Sequence, residues 1–199
     1  MNDIINKINT FPVILASNSP RRKQLLTMLG IRFSIQVPNI DEDDHPFQDS
    51  PEEMVRHLSE HKAKAVIPGN PDSIIIAADT TVTINGNILN KPLSEKEAFE
   101  MLRLLSGNIH TVFTGYSVYF PENKNIISES VSTEVKFHNL TDQEILGYIA
   151  TGSPMDKAGS YGIQDDFGSV FIESIKGDYY NVVGFPVQHF YQTMKSVLG

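Results

Sequence analysis

Several stretches of this chain carry side chains that could do chemistry together. The first is Ala16-Ser17-Asn18-Ser19-Pro20-Arg21-Arg22-Lys23. A serine-rich turn opens a helix whose first turn holds three cations. A helix start presents unbonded N–H groups and partial positive charge, which suit a phosphate. Cations placed there oppose the helix dipole by roughly 0.3–1 kcal/mol each, so an outside anion would account for them. The pattern fits either a phosphate cradle on Ser17, Ser19, Arg21 and Arg22 or a plain strand–helix unit with solvated arginines. The second stretch is Asp79-Thr80-Thr81, directly after the most apolar run of the chain. A carboxylate at the carboxyl end of a central strand points into the crevice where α/β proteins bind ligands. There it could hold a metal or accept a proton, or it could simply end the strand in a turn.

The third stretch is Asp41-Glu42-Asp43-Asp44, with His45 beside it. Open carboxylates of this kind suit Mg²⁺ or Mn²⁺ next to phosphate oxygens, or form a solvated loop. Three lysines in polar surroundings, Lys62, Lys91 and Lys157, could meet an anion or lie on the surface; Pro92 fixes Lys91 in extended backbone. The last stretch runs from Asp156 to Gln164. Its glycines permit a tight backbone, and Gln164 offers the paired donor and acceptor that match a pyrimidine edge. The chain contains no Gly-x-x-x-x-Gly-Lys-Ser/Thr loop, no zinc spacing among its six histidines and no Ser-His-Asp set that spacing supports.

These residues need elements to position them. Residues 13–16 form a short apolar run that predicts a buried strand. Ser19 then caps a helix with Pro20 in its first position and Leu25, Leu26 and Leu29 on its apolar face. Ser50 and Glu53 form a capping-box pattern for a second helix, with Met54, Val55, Leu58 and Ala65 as apolar positions. Residues 74–78 predict a central strand, and Asn85-Gly86 a two-residue hairpin turn. Ser94 with Glu97 and Thr141 with Glu144 start two further helices. Residues 111–120 and 126–137 predict long strands, 171–175 and 180–183 short ones, and the residues after Pro186 a final amphipathic helix. Helices alternate with strands first, and strands then pair as hairpins, which predicts a mixed α/β sheet in a single domain over residues 1–199, with two lobes around a cleft left open.

Composition narrows the classes. The chain has 199 residues, no cysteine and a formal charge of -8. A disulfide scaffold, a cysteine zinc site and a thiol nucleophile are excluded. The charge argues against a protein that coats a nucleic acid polymer. It is unevenly spread: residues 1–40 hold five Lys/Arg against one acid, and residues 41–60 hold eight acids against one arginine. The N-terminal residues lack the apolar core of a signal peptide, and no apolar run is long enough to span a membrane, so a cytoplasmic protein is expected.

Taken in order, the segments resemble the Maf family of nucleoside triphosphate pyrophosphatases, a family first named for an effect on septum formation. The resemblance is carried by Leu15-Ala16-Ser17-Asn18-Ser19-Pro20-Arg21-Arg22, Ala78-Asp79-Thr80, Asn90-Lys91-Pro92, and Leu105-Ser106-Gly107-Asn108-Ile109-His110 with Thr114-Gly115. Asp156 to Gln164 and Asn181-Val182-Val183-Gly184-Phe185-Pro186 complete it. It implies an elongated mixed α/β sheet flanked by helices around a central cleft, similar to inosine triphosphate pyrophosphatases, in a homodimer. It implies hydrolysis of a nucleoside triphosphate to monophosphate and pyrophosphate with a divalent metal, Mg²⁺ or Mn²⁺. Asp79 matches the family's proton acceptor and metal-side carboxylate, and Asp41 and Glu42 match its acidic pair at the metal. Lys62 and Lys91 match lysines that face the triphosphate. Arg21, Thr80 and Gln164 match the positions that sort members by base, and this set looks like the dTTP/UTP branch, not the branch acting on 7-methylguanosine triphosphate. The sequence departs from the family where Asp165-Asp166 follow Gln164 in place of Gly, and where Phe185 replaces a Leu. The competing readings are a non-catalytic nucleotide-binding regulator linked to cell division, which would keep the Arg21 cradle without needing Asp79, and a pyrophosphatase for a different nucleotide such as 7-methyl-GTP.

Overall fold

The computed structural model describes residues 3–40, 50–164 and 166–199. Seven strands form one mixed sheet in the order β2-β1-β3-β5-β6-β7, with β4 paired to β3. The strands are β1 (Val13–Leu15), β2 (Ser34–Ile35), β3 (Ile74–Ile84), β4 (Asn87–Leu89), β5 (Ile109–Phe120), β6 (Asn125–Phe137) and β7 (Ile172–Lys176). The mixed α/β sheet expected from the alternation is therefore present. The chain divides into two units: Met1–Asp79 with Thr114–Val131 and Gly184–Gly199, and Thr80–Phe113 with Ser132–Val183. Strands β3, β5 and β6 run through both.

In the first unit, β1 pairs in parallel with β2 and with β3, Leu15 lying opposite Ile76. Residues 74–78 of β3 are fully buried, as expected of a strand covered on both faces. Helix α2 (Pro20–Met28) starts at Ser19, whose side chain accepts from the Arg22 N–H. Helix α3 (Pro51–Val66) starts at Ser50, whose side chain accepts from the Glu53 N–H. Its core face is Met54, Val55, Leu58, Ser59, Lys62, Ala63 and Val66. Ala65, expected in that face, is exposed, because the stripe rotates onto Ala63 and Val66. Helix α1 (Asp3–Ile8), which the polar N-terminus did not predict, packs against the final helix α7 (Val187–Leu198).

Gly115 sets how closely α3 sits on the sheet. A Cβ at this position would lie 2.2 Å from the Val55 carbonyl oxygen. The backbone of α3 therefore rests directly on β5, and two residues further on Ser59 Oγ and Ser117 Oγ share a hydrogen bond of 2.8 Å.

The second unit holds the Asn85-Gly86 hairpin, both residues at positive φ (51° and 78°) as a tight primed turn requires. It also holds α4 (Glu95–Leu105), capped by Ser94, and α5 (Asp142–Ile149), where Thr141 and Glu144 form a full reciprocal capping box. Residues 180–183 are not the strand expected from their apolar and aromatic character. They belong to a short helix, α6 (Tyr179–Val183), because the Asp178 carboxylate accepts from the Tyr180 N–H and turns the chain. The core of this unit surrounds His110, which is 2% exposed. Its ring meets Phe137 and Tyr161 edge-on, with Nε2 2.7 Å from the Tyr161 hydroxyl and Nδ1 buried without a partner among the described residues. Burial pushes the His110 imidazole down to about 4. Among the described residues no helix is long and apolar enough to cross a membrane.

Two expectations follow. Gly115→Ala forces α3 off the sheet against backbone, and should cost about 3 kcal/mol, the upper part of the range for overpacking, read as a lower urea midpoint. His110 makes stability pH-dependent. Between pH 6.5 and about 4 the unfolded chain takes up a proton here and the folded chain does not, so stability falls as pH falls through that window. Urea denaturation at pH 7 and pH 4.5 should show a loss of about 2–3 kcal/mol from this group, absent in His110→Phe.

Candidate active site

The parallel register of β1 against β3 determines what meets at the carboxyl end of β1. The Ala16 N–H donates to the Ile76 carbonyl (2.8 Å), so the turn that follows β1 lies beside residues 78–79 of β3. This turn is Ser17-Asn18-Ser19. Ser17 is buried, and its Oγ accepts from the Ser19 N–H (3.2 Å) and from Arg22 Nη1 (3.1 Å). Arg22 Nε donates to the Gly184 carbonyl (3.0 Å), and Lys23 Nζ donates to Asn18 Oδ1 (3.0 Å). Arg21 is half-buried in the first turn of α2. Ser17, Ser19 and Arg22 are thus brought together, and the cations expected at this helix start are there.

Asp79 is not at the end of a strand. Strand β3 continues without a break from Ile74 to Ile84, so Asp79 sits near its middle. Two causes account for this. The residues after it are β-branched, which favours extended backbone. The carboxylate is also neutralised across the structure: Lys62 Nζ, from the core face of α3, lies 2.6 Å from Asp79 Oδ1, with the two side chains 8% and 14% exposed. Two charges this close to dry have to be paired. The contact is made through Oδ1. The pairing was not read from the sequence, which offered Lys62 only as an anion contact. A signal existed: Lys62 stands one helical turn after Leu58 and one before Val66, on the stripe that faces the core.

The remaining sequence-predicted residues belong to the second unit. Thr80 follows Asp79 in β3 and is half-buried; Lys91 and Gln164 are exposed. The backbone ties the segment of Lys91 to the loop of Gln164, since the Gly159 N–H donates to the Asn90 carbonyl (3.3 Å). Contacts tie the residues before Gln164 to the core of this unit. Gly159 is at φ 68°, and a Cβ there would meet Val82 at 3.1 Å. Tyr161 bonds His110, and the Gly162 N–H donates to the Tyr148 hydroxyl (3.3 Å). Lys157 is buried, with Nζ on Asp156 Oδ1 (2.7 Å) and the Ser153 carbonyl, so it ties the loop to itself. Asp41 and Glu42, with the rest of the acidic run and Asp165, lie outside the described residues. Among the described residues no group of three or more His, Asp or Glu side chains is placed to hold a metal ion.

The family model described as Maf-like protein matches residues 12–197. A protein of Geobacillus sp. (strain WCH70) named dTTP/UTP pyrophosphatase is 49% identical over 183 residues, covering 92% of this chain and 96% of its own. Proteins of the same name from Clostridium novyi (strain NT) and Bacillus cereus (strain ATCC 10987 / NRS 248) are 47% and 46% identical, covering 90% and 94% of this chain and 94% and 90% of their own.

The ion pair makes its own expectation. Lys62→Met leaves a nearly buried carboxylate without its partner and should cost roughly 3 kcal/mol of stability. Lys62→Met/Asp79→Asn should be more stable than Lys62→Met alone; thermal melts of the variants check the order.

Proposed function

The chain belongs to the Maf-like protein family, and on that footing we propose that it hydrolyses dTTP and UTP to the monophosphate and pyrophosphate, with Asp79 as the proton acceptor. One observation carries this reading: identity of 46–49% across 90–94% of the chain to proteins named dTTP/UTP pyrophosphatase. The enzyme is a nucleoside triphosphate pyrophosphatase, a hydrolase acting on an acid anhydride.

The family implies a divalent metal, and the donor chemistry fits one. Mg²⁺ or Mn²⁺ takes one or two carboxylates beside substrate phosphate oxygens, and Asp79 supplies one such carboxylate. Asp41 and Glu42 are assigned with it as ligands. When bound, the ion would polarise the phosphoryl group and offset its charge. The chain's own residues do the rest. Lys62 holds the Asp79 carboxylate by one oxygen, and the other takes the proton of the attacking water. Ser17, Ser19, Arg21 and Arg22, with Lys91, are assigned to the triphosphate, where fixed donors stabilise the charge that builds on the departing pyrophosphate. Lys62 adds a cation next to that charge. Arg21, Thr80 and Gln164 are assigned to choice of base; the amide of Gln164 can match both a donor and an acceptor on a pyrimidine. The homodimer is carried on the resemblance, and the cytoplasmic location on the short apolar runs of the sequence.

A panel of nucleoside triphosphates with Mg²⁺ or Mn²⁺, followed by release of pyrophosphate, tests the substrate. dTTP and UTP should be turned over best; equal or faster turnover of 7-methyl-GTP overturns that choice. Asp79→Asn should lower kcat by roughly 10²–10⁴-fold. A regulator that only binds nucleotide would instead keep its binding and its cellular effect in that variant.

A further inference from the structure

We propose that Arg22 serves the reaction through Ser17: it is a positioning residue that commits the Ser17 hydroxyl to donating its proton to the phosphate oxygens of the substrate. The proposal rests on the reading of the Ser17 turn as a triphosphate cradle, and it changes the part Arg22 plays there from contact to support.

A serine hydroxyl has two lone pairs and one proton, and is free to rotate. In most surroundings it can therefore donate or accept. Ser17 has lost that choice. Its Oγ receives the Ser19 backbone N–H at 3.2 Å and Arg22 Nη1 at 3.1 Å. Neither an amide N–H nor a guanidinium can accept a proton in return. With both lone pairs engaged, the O–H must point away from both donors, and the partner it suits is an acceptor. The positive charge of the guanidinium draws density from the same oxygen and strengthens it as a donor.

Arg22 is itself fixed for this purpose. Its Nε–H reaches the Gly184 carbonyl at 3.0 Å, 162 residues away in the chain. Its backbone N–H reaches Ser19 Oγ at 3.4 Å, so the residue also closes the cap of α2. Gly184 stands at φ 116°, a conformation that L side chains rarely adopt, so a carbonyl offered from this backbone calls for glycine. Two of the segments that carried the family resemblance, far apart in sequence, thus meet in one guanidinium. Lysine could keep the charge at position 22. Its single ammonium does not reproduce the planar fork that spans a carbonyl and a hydroxyl.

A double-mutant cycle on the full chain separates support from contact. Ser17→Ala, Arg22→Lys and the double variant are compared with the unsubstituted protein by kcat/KM for dTTP and by calorimetric affinity for inorganic tripolyphosphate, after thermal melts show that each is folded. If Arg22 works through Ser17, each single change loses about 10- to 100-fold, the worth of one hydrogen bond to a charged group, and the double variant loses no more than the worse single one. Gly184→Ala should behave like Arg22→Lys, with no further loss when the two are combined, and it replaces Arg22→Lys in the cycle should that variant not fold. Retention of most activity in Arg22→Lys, or losses that multiply in the double variant, would overturn the proposal and return Arg22 to a direct phosphate contact. Absence of turnover in the unsubstituted protein would instead count against the pyrophosphatase reading, while the tripolyphosphate affinities would still decide the coupling between the two residues.

Discussion

A lysine and an aspartate, both nearly dry, share one short contact, and much of the first unit exists to make that contact possible. Lys62 stands on the stripe of α3 that faces the core, where a cation is tolerated only with its partner in place. The helix reaches the right depth because Gly115 lets its backbone rest on β5. Asp79 reaches the right height because β3 runs on through it. The parallel register of β1 on β3 then brings the serine turn beside it. A contact of 2.6 Å is thus the meeting point of a helix depth, a strand length and a sheet register.

The same geometry gives the uneven charge of the chain a meaning that the total of -8 conceals. Cations at a helix start cost stability through the dipole, yet the Arg22 guanidinium is held there by a carbonyl and a hydroxyl. An anion meeting this guanidinium would find it already held, so little of its binding energy would go into ordering the side chain. An acidic total is thus compatible with a local cationic turn, which is a different thing from the basic face that a nucleic acid polymer demands.

What could be read in the sequence was what is decided locally. Ser19, Ser50, Ser94 and Thr141 each cap a helix through the N–H three residues on, and Asn85-Gly86 makes its turn from two residues, so short windows were enough. The family was legible too: the chain belongs to the one its motifs resemble. What could not be read was decided at a distance. Asp79 looked like the end of a strand because its neutralising cation lies 17 residues earlier on another element. Residues 180–183 looked like a strand because their composition outweighed the single carboxylate of Asp178 that turns them into a helix. The meeting of Arg22 with Gly184 left no trace in spacing, since nothing in either segment names the other.

That last contact bears on how the protein is made. On the ribosome the chain emerges from its amino end, so the serine turn and α2 are made well before the carbonyl that holds Arg22, which follows 162 residues later, just ahead of the helix that packs on α1. Until then Ser17 keeps a rotating hydroxyl and the arginine a loose side chain. A chain cut short before Gly184 would contain both the carboxylate and its lysine and still lack the carbonyl that holds Arg22. The contact that fixes this arginine therefore waits on a segment made long after it.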